Sequence, residues 1–332
     1  MSEIKNIIKP RKITKGAHIR IIAPARSMGI LSQDLKKSTI ERVEKFGFKL
    51  SFGKHIDEKD DFNSSSINSR IEDLHDAFSD GNVDAILTVI GGYNSNQLLD
   101  YIDYDLIKKN PKIICGFSDI TAIANAITVK TGMVIYLGPH FSSWGMEQGF
   151  EYSIENFTNC CMKEASYSLL PSNSWSDDPW YIDQKNREFV TNNGYQVLNP
   201  GHALGRIVGG HVRCLNALQG TGYWPVLDDS ILILEEDAEI NPALFDRQLQ
   251  SLIHQSDFKG VRGILIGRFQ KETTMTIDLL KKIVETKKEL RDIPIIANVD
   301  IGHTTPQATM PIGGSMEIEA DSNKAKIIII EH

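Results

Sequence analysis

The sequence predicts an α/β protein built from two units. The chain has 332 residues, a length that suits two domains better than one or three. In its first half, short apolar runs alternate with amphipathic stretches, which is the pattern of βαβ units and a parallel sheet. A second alternating set follows Gly201 and contains more strand segments. We therefore expect an N-terminal unit over residues 1–165, a connector over 166–200 and a C-terminal unit over 201–332.

The first unit is predicted to begin with the strand HIRIIA, which ends at Pro24. The continuous apolar run DAILTVI is typical of a strand buried on both faces, and the pair Gly91-Gly92 ends it. Apolar residues at helical spacing indicate amphipathic helices between the strands. The predicted strands are 18–23, 84–90, 112–115 and 133–137, and the predicted helices are 33–46, 66–79, 95–101 and 119–130.

Residues 141–200 have weak periodicity and are rich in Ser, Asn, Asp and Trp, so we interpret them as a connector with a long excursion loop. Regular patterning resumes after Gly201. The tail SMEIEADSNKAKIIIIE predicts a β-hairpin that turns at Asp321, Ser322 and Asn323. The predicted helices of this half are 209–219, 243–254 and 274–288, and the predicted strands are 230–235, 261–268 and 293–297.

The amino-acid composition and the absence of several motifs argue against some classes of function. The net charge of −7 disfavours a general nucleic-acid binder. No stretch approaches the roughly 18 consecutive apolar residues of a membrane span, and the first residues lack the apolar core of a secretory signal. The four cysteines have no metal-binding spacing, and we expect no disulfide framework; together these features favour a reducing cytoplasm. Without a P-loop, a G-x-G-x-x-G or an HExxH motif, we expect neither a cofactor nor a metal.

Ser118 lies in GFSDI, where the apolar run KIIC gives way to a helical stretch. Such a corner exposes a side chain at the end of a sheet and leaves free N–H groups that can stabilise an oxyanion. This is the arrangement of a nucleophile elbow, although the second glycine of G-x-S-x-G is missing. Serine is also a common helix N-cap. Gly91-Gly92, at the end of the preceding strand, either lets an N–H approach a ligand or forms a plain tight turn.

A serine nucleophile needs a base, and the base needs an orienting carboxylate. His303 lies in IGHTTP, an open turn beyond the predicted strand 293–297. Glu235 is the first of three acids that follow the apolar strand SILIL, and Glu236 comes next. Further histidines near glycine-rich turns are also candidate site residues: His140, His202 and His211.

Seven segments, in order over roughly residues 20 to 314, resemble the LD-carboxypeptidase family and its microcin C self-immunity (MccF-like) branch. Ordered motifs are together far more specific than any one of them. The segments are IIAPARS, TVIGGYNSNQLLDYIDYDLI, KIICGFSDITA, YLGPH, GRIVGGHVRCLNALQGT, ILILEEDAE with FDRQL, and IGHTTPQATMPIG. The resemblance implies an N-terminal Rossmann-like domain and a C-terminal swivelling β/α domain, usually in a homodimer, with the site in the cleft between the domains.

The resemblance also implies a serine peptidase with a Ser-Glu-His triad. Carried over motif by motif, the nucleophile is Ser118, the base is His303 and the orienting acid is Glu235. The family often has a single Glu-Asp pair where this chain has EED, so Glu236 stays a minor rival. The implied oxyanion donors are the backbone N–H groups of Asp119 and of Gly91 or Gly92.

The segment GGYNSN and the tryptophan-rich loop SNSWSDDPWYIDQ resemble the MccF-like branch, in which a loop aromatic stacks on the adenine of an aminoacyl-nucleotide. The resemblance thus implies a hydrolase of aminoacyl-nucleotide amides. Two alternatives stay open: an LD-carboxypeptidase that removes D-alanine from muropeptide tetrapeptides, and a catalytically silent aminoacyl-nucleotide-binding protein. The loop aromatics could instead cover a domain or dimer surface, and Arg206 could form a surface ion pair rather than meet a substrate carboxylate. The candidate substrate-binding residues are Tyr93, Asn94, Trp175, Trp180 and Arg206.

Overall fold

The computed structural model describes residues 7–321 and 324–332, which form two main sheets and eight α-helices. The α/β prediction is confirmed. The helices are α1 (Gln33–Phe46), α2 (Ile67–Ser79), α3 (Tyr104–Lys109), α4 (Ile120–Thr131), α5 (Glu151–Met162), α6 (Val212–Asn216), α7 (Pro242–Ile253) and α8 (Ile277–Glu285). Among the described residues, no helix has both the length and the apolar composition needed to cross a membrane.

The first sheet has six strands in the order β14-β5-β4-β3-β1-β2. The strands β1 to β5 run parallel to their neighbours, as the βαβ pattern predicts, whereas β14 is antiparallel to β5. The last strand therefore comes from the C-terminal half of the chain. The strands are β1 (His18–Ile22), β2 (Lys49–Phe52), β3 (Ala85–Thr88), β4 (Ile113–Gly116), β5 (Ile135–Leu137) and β14 (Met310–Ile312).

The second sheet has eight strands in the order β6-β16-β15-β10-β11-β12-β13-β9. Its central strands β10 to β13 are parallel, and the flanking strands are antiparallel. The strands are β6 (Tyr167–Ser168), β9 (Gln196–Asn199), β10 (Gly201–His211), β11 (Ser230–Glu235), β12 (Val261–Gly267), β13 (Ile295–Val299), β15 (Ser315–Ala320) and β16 (Ala325–Glu331). Ser322 and Asn323, predicted at the hairpin turn, lie outside the described residues. A separate two-stranded ribbon pairs β7 (Ser174–Trp175) with β8 (Val190–Thr191).

Helix α4 joins the first sheet to the second. Its side chains are buried on almost every face, and one apolar cluster contains residues of both sheets and of this helix. The Asn125 amide donates to the Gly209 carbonyl at 2.9 Å, and the His211 N–H donates to the Thr121 hydroxyl at 3.0 Å. The start of α4 is thereby held beside the end of β10, where the carboxyl ends of the parallel strands create a site.

The secondary-structure prediction differs from the structure in several places. The predicted helix 209–219 is wrong, because β10 continues through His211 and only Val212–Asn216 is helical. At Gly209, φ is +119° and a Cβ would lie 2.2 Å from the Ile233 carbonyl oxygen, so these glycines permit close strand packing instead of starting a helix. The half-buried edge strand β2 and the helices α3 and α5 were not predicted.

Candidate active site

Ser118 occupies a sharp corner between β4 and α4. Its φ is +60°, in the left-handed region that disfavours residues with a Cβ. The N-cap position of α4 belongs to Asp119, which makes no side-chain capping hydrogen bond. The Ser118 hydroxyl lies 3.1 Å from His303 Nε2 instead of capping the helix. The strained backbone at this corner exposes the Ser118 hydroxyl. This geometry is typical of a nucleophile elbow and not of a helix N-cap.

The His303 imidazole lies between two oxygen atoms. Its Nε2 faces Ser118, and its Nδ1 lies 2.7 Å from Glu235 Oε2. The loop comes this close because residue 302 is a glycine with φ of +92°, where a Cβ would lie 2.4 Å from the same carboxylate oxygen. A hydroxyl, an imidazole and a carboxylate in this order can move a proton off the serine and stabilise the imidazolium that results.

Glu235 and Glu236 point to different partners. Glu235 is the last residue of β11 and its side chain is 7% exposed. Burial alone would raise the pKa of Glu235, but the charge and hydrogen bond of His303 hold this pKa below its ordinary value. Glu236 accepts hydrogen bonds from Arg213, at 3.0 Å from Nε and 3.2 Å from the backbone N–H. Of the two acids, Glu235 alone contacts the histidine.

The backbone beside Ser118 offers unpaired donors. Among the described residues, none accepts a hydrogen bond from the N–H of Gly91, Gly92 or Asp119. A Cβ on Gly91 would lie 2.9 Å from Ser118 Cβ and 3.1 Å from Oγ, so the glycine backbone lies directly against the serine. The Asp119 carboxylate accepts from the N–H groups of Asn94 and Ser95, which fixes the glycine loop to the corner. This arrangement is suited to an oxyanion hole.

His140, one of the candidate histidines, is a buried neighbour of this corner. Its Nδ1 lies 2.8 Å from Thr88 Oγ1, and its ring lies 4.4 Å from the Phe117 ring, centre to centre. Phe117 also contacts the His303 ring edge-on at 5.1 Å. Burial, together with the charge of His303, lowers the pKa of His140 to about 3. His140 therefore supports the corner as a neutral ring.

We expect His140 to make the fold sensitive to acid. It is neutral when folded and has an ordinary pKa near 6.5 when unfolded, so the unfolded chain binds the extra proton and stability falls as pH drops below about 6.5. Between pH 7 and pH 5 this one group should lower the free energy of unfolding by about 2 kcal/mol. Urea denaturation of the wild type and of His140→Gln at both pH values measures the effect. An equal loss of stability in the two proteins would contradict it.

His211 lies on the other side of His303, at 5.5 Å between ring centres. Its Nε2 lies 3.3 Å from Glu236 Oε2 and 3.4 Å from Asp237 Oδ2, which are ion-pair distances. Burial opposes the charged form, but the side chains of Asp237 and Cys214 and the charge of Glu235 raise the pKa of His211 well above its ordinary value. The register of β10 and β11, which pairs His211 with Glu235, brings this ring to the site.

Tyr93 and Asn94 differ in their suitability as substrate ligands. Tyr93 is 65% exposed, its hydroxyl donates to Glu239, and the Arg26 guanidinium lies 4.9 Å from its ring centre. Asn94 instead accepts from Arg70 Nη1 at its side-chain oxygen, at 3.2 Å. Tyr93 therefore lies on an open surface beside the glycine pair, whereas Asn94 holds the loop in shape.

The tryptophan-rich loop is tied to the loop that carries His303. Ser176 and Thr305 exchange two backbone hydrogen bonds, each of 2.8 Å. The Trp175 ring has the guanidinium of Arg268 5.0 Å from its centre and the ammonium of Lys271 5.6 Å from it. Trp180 is half-buried and packs against the apolar cluster of the first sheet. Both tryptophans therefore have protein neighbours, and the loop lies beside the site.

Like His202 near the start of the same strand, Arg206 lies away from the triad in the fold. It pairs with Ser230 at the start of β11, five residues along the strands from the pair of His211 and Glu235. At about 3.3 Å per residue the separation is about 16 Å. The guanidinium donates to the Val226 carbonyl at 3.0 Å. This position and this bond favour a structural role for Arg206 over a contact with a substrate carboxylate.

Family models match both halves of the chain. The LD-carboxypeptidase N-terminal domain matches residues 19–138, and the LD-carboxypeptidase C-terminal domain matches residues 204–318. The putative carboxypeptidase YocD of Bacillus subtilis (strain 168) is 51% identical over 321 residues, covering 97% of this chain and 99% of that protein. The crystal structure of an MccF-like protein from Bacillus anthracis has a TM-score of 0.97 and 50% identity, covering 98% of this chain and 100% of that chain.

Two more distant relatives have names that indicate different substrates. The microcin C7 self-immunity protein MccF, solved in complex with aspartyl sulfamoyl adenosine, has a TM-score of 0.88 and 26% identity, covering 98% of this chain and 99% of that chain. A probable murein peptide carboxypeptidase of Bacillus subtilis is 28% identical over 330 residues, covering 96% of this chain and 94% of that protein. Because the two identities are nearly equal, they favour neither relative over the other.

Proposed function

The chain belongs to the LD-carboxypeptidase family of serine peptidases, and we propose that it is a hydrolase whose triad is Ser118, His303 and Glu235. The observation that carries the proposal is the continuous relay from hydroxyl to imidazole to carboxylate, with separations of 3.1 Å and 2.7 Å. The left-handed backbone at Ser118 supports it, since strain of this kind is found where a nucleophile must be presented.

In the proposed reaction, Ser118 Oγ attacks the acyl carbon of the substrate while His303 Nε2 takes the hydroxyl proton. Glu235 holds Nδ1–H and stabilises the imidazolium. The N–H groups of Asp119 and of Gly91 or Gly92 stabilise the oxyanion of the tetrahedral intermediate. His303 then protonates the leaving nitrogen, and an acyl-enzyme ester forms. Water, deprotonated by His303, hydrolyses the ester and returns Ser118 to its starting state.

We propose that the substrate is an aminoacyl-nucleotide compound, such as processed microcin C or an aminoacyl sulfamoyl-adenylate, and that the role is detoxification. The support is the complex of MccF with aspartyl sulfamoyl adenosine, together with the aromatic loop fixed beside the His303 loop. Removal of D-alanine from muropeptide tetrapeptides is the second candidate, favoured by the similarity to a murein peptide carboxypeptidase. The four free cysteines are in keeping with the proposed cytoplasmic location, and a homodimer is proposed from the family resemblance alone.

A paired hydrolysis assay on the purified protein tests the proposal. One reaction contains aspartyl or glutamyl sulfamoyl adenosine, the other a muropeptide tetrapeptide, and Ser118→Ala is the control in both. Release of sulfamoyl adenosine by the wild type alone is the expected result. Release of D-alanine alone would support the proposed triad but identify a muropeptide as the substrate. Tight binding of the nucleotide compound without turnover would indicate a catalytically silent binding protein instead of a hydrolase.

We expect the tryptophan-rich loop to act on KM. A base stacked on an aromatic ring gains about 1–3 kcal/mol, so losing the stacking ring should raise KM for an adenylated substrate about 5- to 150-fold. Trp175→Ala and Trp180→Ala are compared by steady-state kinetics, with Tyr181→Ala, an exposed aromatic of the same loop, as the matched control. Unchanged KM in both tryptophan variants would instead indicate that these rings cover a domain or dimer surface and do not contact the substrate.

A further inference from the structure

His211, Asp237 and His303 converge on one point beside the triad. One nitrogen or oxygen atom from each of the three side chains lies within 4.8 Å of the other two. The three residues come from the end of β10, the turn after β11 and the loop after β13. No spacing along the chain links them, so their convergence is a property of the fold. Two imidazoles and one carboxylate are a ligand set typical of zinc.

The geometry suits a single tetrahedral ion. With Zn–N bonds of about 2.0–2.1 Å, two imidazoles bound to one zinc ion have ring centres about 5 Å apart. The ring centres of His211 and His303 are 5.5 Å apart, and the ring planes make an angle of 68°. His211 Nε2 already lies 3.4 Å from Asp237 Oδ2. Small movements of these side chains would bring all three ligands to bonding distance.

His211 is buried at the centre of this group. The residue is 4% exposed, and its Nε2 lies at ion-pair distance from both Glu236 and Asp237. Neither ring nitrogen makes a hydrogen bond of good geometry with the described residues, so a metal ion that binds this ring displaces only loose contacts. The two oxygens of the Asp237 carboxylate have different partners. Oδ1 accepts a hydrogen bond from Arg213 Nη2 at 2.5 Å, and Oδ2 faces His211, where it could bind a metal ion.

The local charge favours a cation. Glu235, Glu236 and Asp237 are consecutive, and the last two of them contact the side chains of Arg213 and His211. The carboxylates also favour a proton on His211, and a metal ion must displace this proton. Binding experiments are therefore performed at pH 8, where the competition from protons is weaker.

We propose that His211, Asp237 and His303 form an inhibitory site for Zn²⁺ or a similar divalent transition-metal ion. Glu235 occupies Nδ1 of His303, so the metal binds the lone pair of Nε2, the nitrogen that faces Ser118. With this lone pair bound to metal, His303 cannot accept the serine proton, and hydrolysis stops. The inhibition depends on the proposed role of His303 as the base, whereas the metal binding does not.

Inhibition is measured by titrating buffered free Zn²⁺ against hydrolysis by the wild type, His211→Ala and His202→Ala. His202 is the matched control, because it belongs to a separate exposed group with Glu317 and Glu319. We expect His211→Ala to raise the half-inhibitory Zn²⁺ concentration at least tenfold and His202→Ala to leave it unchanged. Equal sensitivity of the wild type and His211→Ala would overturn the proposal.

Binding is measured separately on the Ser118→Ala protein, so that the result does not depend on turnover. Co²⁺ is the probe, since a four-coordinate cobalt site gives intense visible absorption. We expect one such site, lost when His211→Ala or Asp237→Asn is added and kept when His202→Ala is added. Loss of the spectrum with His202→Ala, or its survival with both His211→Ala and Asp237→Asn, would show that the metal binds elsewhere. Circular dichroism of each variant verifies its fold.

Discussion

Ser118→Ala is expected to lower kcat by about 10⁴-fold or more, because a triad enzyme without its nucleophile keeps only the contributions of binding and of the oxyanion hole. In this structure, the substitution removes the hydroxyl without adding backbone strain. Alanine has the same Cβ as serine and so has the same cost at φ of +60°. The hydroxyl that is lost contacts His303 Nε2. The free energy of unfolding should therefore change little while turnover disappears.

The measurement is single-turnover and steady-state hydrolysis of the substrate identified by the paired assay. Ser143→Ala is a matched control, since Ser143 is a buried serine outside the relay; it should keep wild-type kcat. A thermal melt of each variant separates lost chemistry from lost fold. Substantial turnover by Ser118→Ala would mean that another group attacks the substrate, and it would remove the triad from the proposal.

Much of the fold could be predicted because its central elements carry strong local signals. The run DAILTVI and the strand SILIL are continuous apolar segments, and both are strands in the structure. Elements whose signals are weak or depend on distant partners were missed. Strand β10 contains two adjacent glycines whose packing against Ile233 and Thr121 decides their conformation. Strand β14 joins the first sheet although most of its sequence neighbours belong to the second, and no local pattern encodes such a crossing.

The candidate site, too, combines residues that local sequence indicates with residues that only the fold brings together. The corner at Ser118 could be recognised as an exposed position from the local switch between strand and helix, but the local sequence left its role open between cap and nucleophile. The contact with His303 joins residues 185 positions apart, and only the fold reveals it. His211 and His140 were left among several candidate histidines, because strand register and burial place them beside the triad. Arg206 was a candidate for the same reason, since only the fold shows that it lies five residues along β10 from His211.

The choice between Glu235 and Glu236 leads to the second large effect. Successive residues of a strand point to opposite sides, so one acid at most can face the histidine, and the contact of 2.7 Å selects Glu235. Glu235→Gln replaces an acceptor-only carboxylate with an amide that can donate to Nδ1. The proton of His303 then moves to Nε2, and the nitrogen facing Ser118 can no longer accept one. By analogy with the equivalent change in other triads, we expect kcat to fall about 10⁴-fold.

Glu236→Gln is the matched control for Glu235→Gln, because it makes the same chemical change one residue away in a buried position. Glu236 bonds to Arg213 and not to His303, so its loss should reduce stability while most of the turnover is kept. If Glu236→Gln lost more turnover than Glu235→Gln, the orienting acid would be Glu236, and the histidine loop would have to close differently when substrate binds.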